Sequence, residues 1–206
     1  MRLSGKRRVL SAVALHVLMV LAPNSVLSAD QGTGMAAYEE GRYLDAFDIW
    51  EPPARSGDPV AQYNIGRLYQ LGQGVFQDFE VAAQLYEMSA DQGYPYAQHN
   101  LAMLYESGKG VDQSFSKAYR WFRRAAKQGN RKSMYRLGIM YQEGEGVGKS
   151  QDLAYFFIYM ASSLDLDGLE QRLSSLVKSI SGTRVNQIQQ SASQWKPGDN
   201  LPGPRS

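Results

Sequence analysis

The chain has 206 residues, 22 Lys and Arg against 20 Asp and Glu for a formal net charge of +2, two histidines and no cysteine. That length fits one domain of ordinary size. The lack of cysteine excludes disulfides, thiolate metal sites, a Cys nucleophile and a lipid-modified N-terminal cysteine.

Residues 1–29 read as a signal peptide. Arg2, Lys6, Arg7 and Arg8 form a basic start, an apolar run extends from Val9 to Ala22, and Pro23 breaks it ahead of the small residues of Val26-Leu27-Ser28-Ala29. The run is about 14 residues, short of the ~20 that cross a bilayer as a helix. Cleavage is expected after Ser28 or Ala29, with a retained anchor as the alternative. Removing this segment takes four basic residues and no acid, which leaves 18 basic against 20 acidic residues and a net charge of −2. The basic balance therefore belongs to the leader and gives no argument for nucleic acid. With no cysteine to lipidate, the mature chain is expected in the periplasm or secreted, without a membrane span. Only His99 remains after cleavage, which rules out any two-His metal motif. The next residues, DQGTG before Met35, read as loose.

Three copies of one pattern then follow. Residues 60–95 and 96–131 are identical at 14 of 36 positions, a third copy runs over 132–167, and residues 30–59 hold an upstream half-copy in the same phase. Each copy predicts two helices. In the first, Ala61, Ile65, Leu68 and Tyr69 share one helical face, as do Ala97, Leu101, Leu104 and Tyr105, and Ser133, Leu137, Met140 and Tyr141. In the second, Phe79, Ala82, Tyr86 and Ala90 correspond to Phe115, Ala118, Phe122 and Ala126. Small residues at Gly66, Ala102 and Gly138 and at Ala82, Ala118 and Ala154 allow neighbouring helices to approach closely. Gly72, Gly108 and Gly144 suit a left-handed helix stop, Gly74, Gly110 and Gly146 a tight turn, and Asp78, Ser114 and Ser150 an N-cap. A lone hairpin of this kind cannot cover both its apolar faces, whereas stacked copies can.

The pattern A-Q-Y-N-I-G-x-L-Y-x-x-G-x-G-V-x-Q-D-F-x-x-A-x-x-x-Y-x-x-x-A-x-x-G, from Ala61 to Gly93, resembles the Sel1-like repeat, a relative of the tetratricopeptide repeat, in an exported bacterial form. The resemblance covers about residues 36–165. It implies an all-α fold, an α/α solenoid of stacked helix-turn-helix repeats. Asp165 stands where Gly93 and Gly129 stand, so the third copy closes differently. Residues 168–195 predict a C-terminal capping helix pair. Leu169, Leu173, Leu176, Val177 and Ile180 line the first helix; Thr183 would cap the second, which carries Val185, Ile188, Ala192 and Trp195. Residues 196–206, rich in Pro and Gly, predict a disordered tail.

Chemistry-bearing motifs are few. GEGVGKS at 144–150 spells the end of a Walker A loop, but the first glycine is one position late and the loop follows a helix where the motif needs a strand. Lys149 reads as a solvated lysine. S-x-x-K occurs at Ser114/Lys117, Ser175/Lys178 and Ser193/Lys196 without its companion S-D-N and K-T-G motifs. Some cysteine-rich members of the resembled family are described as β-lactamases or penicillin binders, but they carry paired cysteines that this chain lacks. No carboxylate cluster points to acid–base chemistry or a calcium loop; Asp165, Asp167 and Glu170 read as a solvated turn. His99 falls in the repeat row of Tyr63 and Tyr135, where a packed or groove-lining role outweighs that of a catalytic base. Arg120, Arg123, Arg124, Lys127, Arg131 and Lys132 crowd the second helix of copy two and the following turn. Either Arg123 pairs with Glu87 and Lys127 with Asp91 of copy one, Arg120 and Arg124 having no acidic counterpart there, or the cluster forms a docking patch for an acidic partner, anionic glycan or lipid headgroup.

The expectation is a non-enzymatic adaptor, without cofactor or metal, that binds protein partners. The resemblance implies service in envelope assembly, signalling or host interaction, and a concave face lined by Tyr63, Arg67, His99, Met103, Tyr135 and Ile139. Arg120, Arg123, Arg124 and Lys127 are further candidates. The alternatives are a β-lactam or cell-wall hydrolase, and a glycan or membrane-surface binder acting through the basic patch.

Overall fold

The computed structural model describes residues 27–164 and 168–203. The basic and apolar parts of the expected signal peptide, and Asp165 and Asp167, lie outside them. The described residues fold into ten helices: α1 (Leu27–Glu39), α2 (Tyr43–Arg55), α3 (Pro59–Leu71), α4 (Phe79–Asp91), α5 (Pro95–Ser107), α6 (Phe115–Lys127), α7 (Arg131–Glu143), α8 (Gln151–Met160), α9 (Leu169–Ser179) and α10 (Gly182–Gln194). No strand is present among them. The fold class is an all-α repeat solenoid. The chain divides into two units, one of residues up to 97 with 109–112, the other of residues 98–108 and from 113 onward.

The first unit holds α1 to α4 and the start of α5. DQGTG is helical, contrary to the expectation of a loose lead-in. Its Gly34 is the reason it can pack: a Cβ there would meet Cε2 of the fully buried Trp50 at 2.7 Å. Gly66 of α3 does the same for α4, since a Cβ would lie 2.8 Å from the Tyr86 ring. Asp58 caps α3 by accepting from Ala61 N at 2.6 Å, and Asp78 caps α4 by accepting from Glu80 N and Val81 N at 3.0 Å. These bonds satisfy N–H groups that a helix start otherwise leaves without partners.

The second unit repeats the design. Ser114 caps α6, Asn130 α7 and Ser150 α8. Each Gly-x-Gly loop closes on its preceding helix through one backbone bond: Asp78 N to Tyr69 O in the first unit, Ser114 N to Tyr105 O and Ser150 N to Tyr141 O in the second, at 3.0, 2.8 and 2.9 Å. Trp50, Tyr86, Phe122 and Ile158 are successive occupants of one repeat position and are all fully buried, as are Ala46, Ala82, Ala118 and Ala154. Fully burying one such large side chain contributes about 1.5–3 kcal/mol. Where alanine gives way to Ser133 in copy three, its buried hydroxyl is satisfied by His99 Nδ1 at 2.8 Å.

The C-terminal helix pair forms, with Leu169, Leu176, Val185, Ile188 and Ala192 buried. Ser181, not Thr183, caps α10, through a bond from Arg184 N at 3.4 Å. The expected disordered tail is corrected over residues 196–203. Gly198 N donates to Lys127 O at 2.7 Å, Arg123 donates to Pro202 O and Leu201 O at 2.9 and 3.2 Å, and Leu201 is buried.

Candidate partner-binding surface

In the first unit, α3 presents Tyr63 and Arg67 one turn apart on the same face. The α4–α5 turn brings Tyr94 beside them, and Tyr96 is the second residue of α5. The Tyr63 ring lies 5.2 Å from Tyr94 and 6.2 Å from Tyr96, while Tyr94 and Tyr96 are 5.5 Å apart. Such separations suit edge and tilted aromatic pairing. With Met35, Val60, Asn64 and Arg67, the three tyrosines line a cavity of about 260 Å³. Arg67 is held in place: its Nη2 donates to Tyr38 Oη at 3.1 Å, and its guanidinium faces the Tyr38 and Tyr63 rings at 4.9 and 5.8 Å. Burial pushes the Tyr94 hydroxyl above its ordinary value, with the Tyr63 and Tyr96 hydroxyls adding to the effect. At neutral pH it stays protonated.

In the second unit, the row expected from His99, Met103, Tyr135 and Ile139 is only partly available. Ile139 is 9% exposed and belongs to the core, which corrects its place among the contact residues. Met103 and Tyr135 are half-buried. His99 packs its ring 5.5 Å from Phe122 and engages Ser133. Burial, reinforced by Lys132 and Arg136, lowers its pKa to about 4. The imidazole is thus neutral at physiological pH and serves packing.

The basic cluster also divides. Arg123 is half-buried and tied to the Tyr119 hydroxyl at 3.2 Å as well as to the tail carbonyls, so it is a strap and not a docking residue. Arg131 donates to Met160 O at 3.3 Å and to Ser163 Oγ. Arg124 lies over the Trp121 ring at 4.4 Å, and Arg120, Arg124 and Lys127 are exposed. The docking patch therefore contracts to these three. Tyr119 of α6 and Tyr141 of α7 join their hydroxyls at 2.6 Å.

The hydrolase and nucleotide motifs find structural uses. Ser114 Oγ accepts from Lys117 N at 3.3 Å as the α6 cap, and the Lys117 ammonium sits 4.9 Å from the Tyr105 ring centre. Ser150 caps α8. Lys149 lays its stem over Gly144, where an added Cβ would meet Cγ at 2.8 Å. Gln77 and Gln113 hold the equivalent place in copies one and two, bonding Gln70 O and Glu106 O at 2.9 Å. No helix among the described residues is long and apolar enough to cross a membrane, and they contain no His, Asp or Glu grouping that can hold a metal ion.

Sequence reasoning found Tyr63 and Arg67 but missed Asn64, Tyr94 and Tyr96. A signal was present: one 36-residue step along the chain, Asn130 and Lys132 stand where Tyr94 and Tyr96 do.

Comparison with known proteins bears on the same residues. The Sel1 repeat pattern matches residues 59–94, 95–130 and 131–166, in each case one residue ahead of the copies read from the sequence. No curated protein sequence matches. The crystal structure of a Sel1 repeat protein from Oxalobacter formigenes is similar at 28% identity with a TM-score of 0.59, over 82% of this chain. The chain spans 63% of that protein's length. A second likeness is to c5321, a protective antigen present in uropathogenic Escherichia coli strains and displaying an SLR fold. It is 21% identical with a TM-score of 0.47, over 87% of this chain and 52% of that one. Repeats in phase over more than half of the chain place it in the Sel1 repeat family, whose members generally mediate protein–protein interactions and are typically non-catalytic scaffolds.

Proposed function

We propose that the protein is an exported, non-enzymatic adaptor that binds a protein partner in the cell envelope or outside it. The observation that carries this reading is the cluster of Tyr63, Tyr94, Tyr96 and Arg67 around an open cavity. Tyrosine and arginine dominate binding hot spots because they offer large contact area and several hydrogen bonds. Tyr96 is 55% exposed beside Tyr63 and Tyr94, which leaves its ring accessible for contact. Arg120, Arg124 and Lys127 supply a second contact area for an acidic surface of the partner. Export rests on the leader pattern of residues 1–29.

Photo-crosslinking from position 96 in the native cell, followed by reconstitution of the attached protein with the purified chain, tests the adaptor reading. The expected result is one partner whose binding weakens at least tenfold on Tyr63→Ala. Failure of every crosslinked protein to bind in reconstitution overturns it. N-terminal sequencing of the mature protein is expected to begin at Ala29 or Asp30; a start at Met1 refutes export by cleavage.

A further inference from the structure

The first unit holds an unsatisfied buried donor in the lining of its aromatic cavity. Asn64 is 3% exposed and lines the cavity, and its Nδ2 finds no acceptor among the described residues. Native proteins leave few buried polar groups unpaired, because each retains its full desolvation cost. Every charge on the lining is positive, since Arg67 is its only ionised side chain. Arg67 uses one guanidinium hydrogen bond on Tyr38, and a guanidinium has five donors. The cavity thus offers donors and apolar walls but no carboxylate.

We propose that this cavity is an anchor pocket for an acidic segment of a partner protein: it takes in one apolar side chain while an adjacent carboxylate accepts from Asn64 Nδ2 and Arg67. This rests on the protein-binding reading above and names the chemistry of the partner. Three observations define the occupant. The volume of about 260 Å³ falls below the ~300–1,000 Å³ of pockets that enclose free small ligands, so it suits a single side chain. The rings of Tyr63, Tyr94 and Tyr96 offer apolar faces to that side chain. The charge of Arg67 and the empty Asn64 donor call for an anion, which guanidinium and amide groups bind more strongly than a neutral acceptor. The repeat itself shows the pairing. In copy three the position of Asn64 is Arg136, and its guanidinium meets the carboxylate of Glu106.

The test is a titration of the full mature chain, labelled with ¹⁵N, with 3-phenylpropanoate and with its neutral amide, 3-phenylpropanamide. The acid unites an aromatic body and a carboxylate. Saturable shifts are expected at the Asn64 side-chain amide, with a Kd in the millimolar range for a ligand of this size. The amide is expected to bind at least tenfold more weakly. Arg67→Gln, at a half-buried position, is expected to reduce the acid's affinity about tenfold while leaving the spectrum folded, and Tyr96→Ala to reduce both. Equal affinity for acid and amide, or binding unaffected by Arg67→Gln, overturns the proposal. A micromolar Kd for the free acid overturns the partner-protein source and marks a metabolite site. The two readings fail distinguishably: a reconstituted partner with no carboxylate preference at this pocket rejects only the pocket, and a carboxylate-specific pocket without any reconstituted partner rejects the adaptor and with it the partner-protein source of the carboxylate.

Discussion

The glycines of GEGVGKS, at 144, 146 and 148, are not equivalent, and substituting two of them tests the whole account of the repeat. Gly146 has φ +67° and packs on the N-terminus of α6. A Cβ there would overlap the Phe115 carbonyl and lie 2.9 Å from Ser116 N. Gly148 has nothing within 4 Å of an added Cβ and no left-handed backbone. Gly146→Ala therefore carries two costs. An L-residue in the left-handed region costs about 1–2 kcal/mol. Displacing packed backbone, which cannot rotate aside as a side chain can, adds about 1–3 kcal/mol. A total near 3 kcal/mol lowers Tm by about 6–12 °C at roughly 2–4 °C per kcal/mol for a chain of this size. Gly148→Ala is expected within about 0.5 kcal/mol of the unsubstituted chain, as for a surface change that touches nothing. Thermal and urea unfolding of both variants provide the comparison. Equal stability of the two variants refutes the claim that these glycines exist for packing and not for phosphate, because a phosphate loop would need both and a packing loop needs only one.

Three other outcomes follow from the same geometry. Ser150→Ala removes the α8 cap bond to Leu153 N at 3.3 Å and is expected to cost about 1 kcal/mol in urea unfolding; an unchanged midpoint contradicts the cap. His99 stays neutral in the folded chain down to about pH 4, while the unfolded chain takes up its proton near 6.5. Between those values the unfolded state binds more protons, so stability is lost as pH falls, by up to about 2–3 kcal/mol between pH 7 and 4.5; His99→Gln should flatten that slope, and an identical slope refutes it. Arg123→Ala removes two bonds to the tail carbonyls and should raise hydrogen exchange and protease cleavage over residues 196–203, with a stability loss of about 1–3 kcal/mol; a tail that stays protected shows that Leu201 alone holds it.

Most of the fold was legible because the repeat states it three times. Two glycines and a cap residue recurring at fixed spacing cannot be read as phosphate chemistry once Gly72 and Gly74, and Gly108 and Gly110, stand beside Gly144 and Gly146, and the backbone bonds of Asp78, Ser114 and Ser150 show the loops closing alike. The tail was illegible for a physical reason. Apart from the buried Leu201, its contacts run through the backbone, with Gly198 N donating to Lys127 O and the Leu201 and Pro202 carbonyls accepting from Arg123, and backbone groups leave no mark on residue identity. The arginine looked like one charge among several, since a side chain that straps a segment and one that faces solvent have the same letter. DQGTG misled in the opposite way: glycine suggested looseness, whereas Gly34 is there so that α1 can lie against Trp50.

Function in such a chain sits where a copy departs from its siblings, since the shared residues are consumed by packing. His99 with Ser133 is one departure, and it closes on itself: histidine replaces Tyr63's counterpart, serine replaces Ala97's, and the two satisfy each other inside the second unit. Arg136 with Glu106 is another: the guanidinium meets that carboxylate, while its Nε keeps no acceptor among the described residues. Tyr94 and Tyr96 differ in kind. They replace Asn130 and Lys132, gather around Arg67, and leave Asn64 without an acceptor and Tyr96 half in solvent. A departure that satisfies its own polar groups adds stability and asks for nothing more. One that leaves a donor buried and an aromatic ring exposed is what the proposed partner would complete, and that combination occurs in the first unit, where three tyrosines meet an arginine.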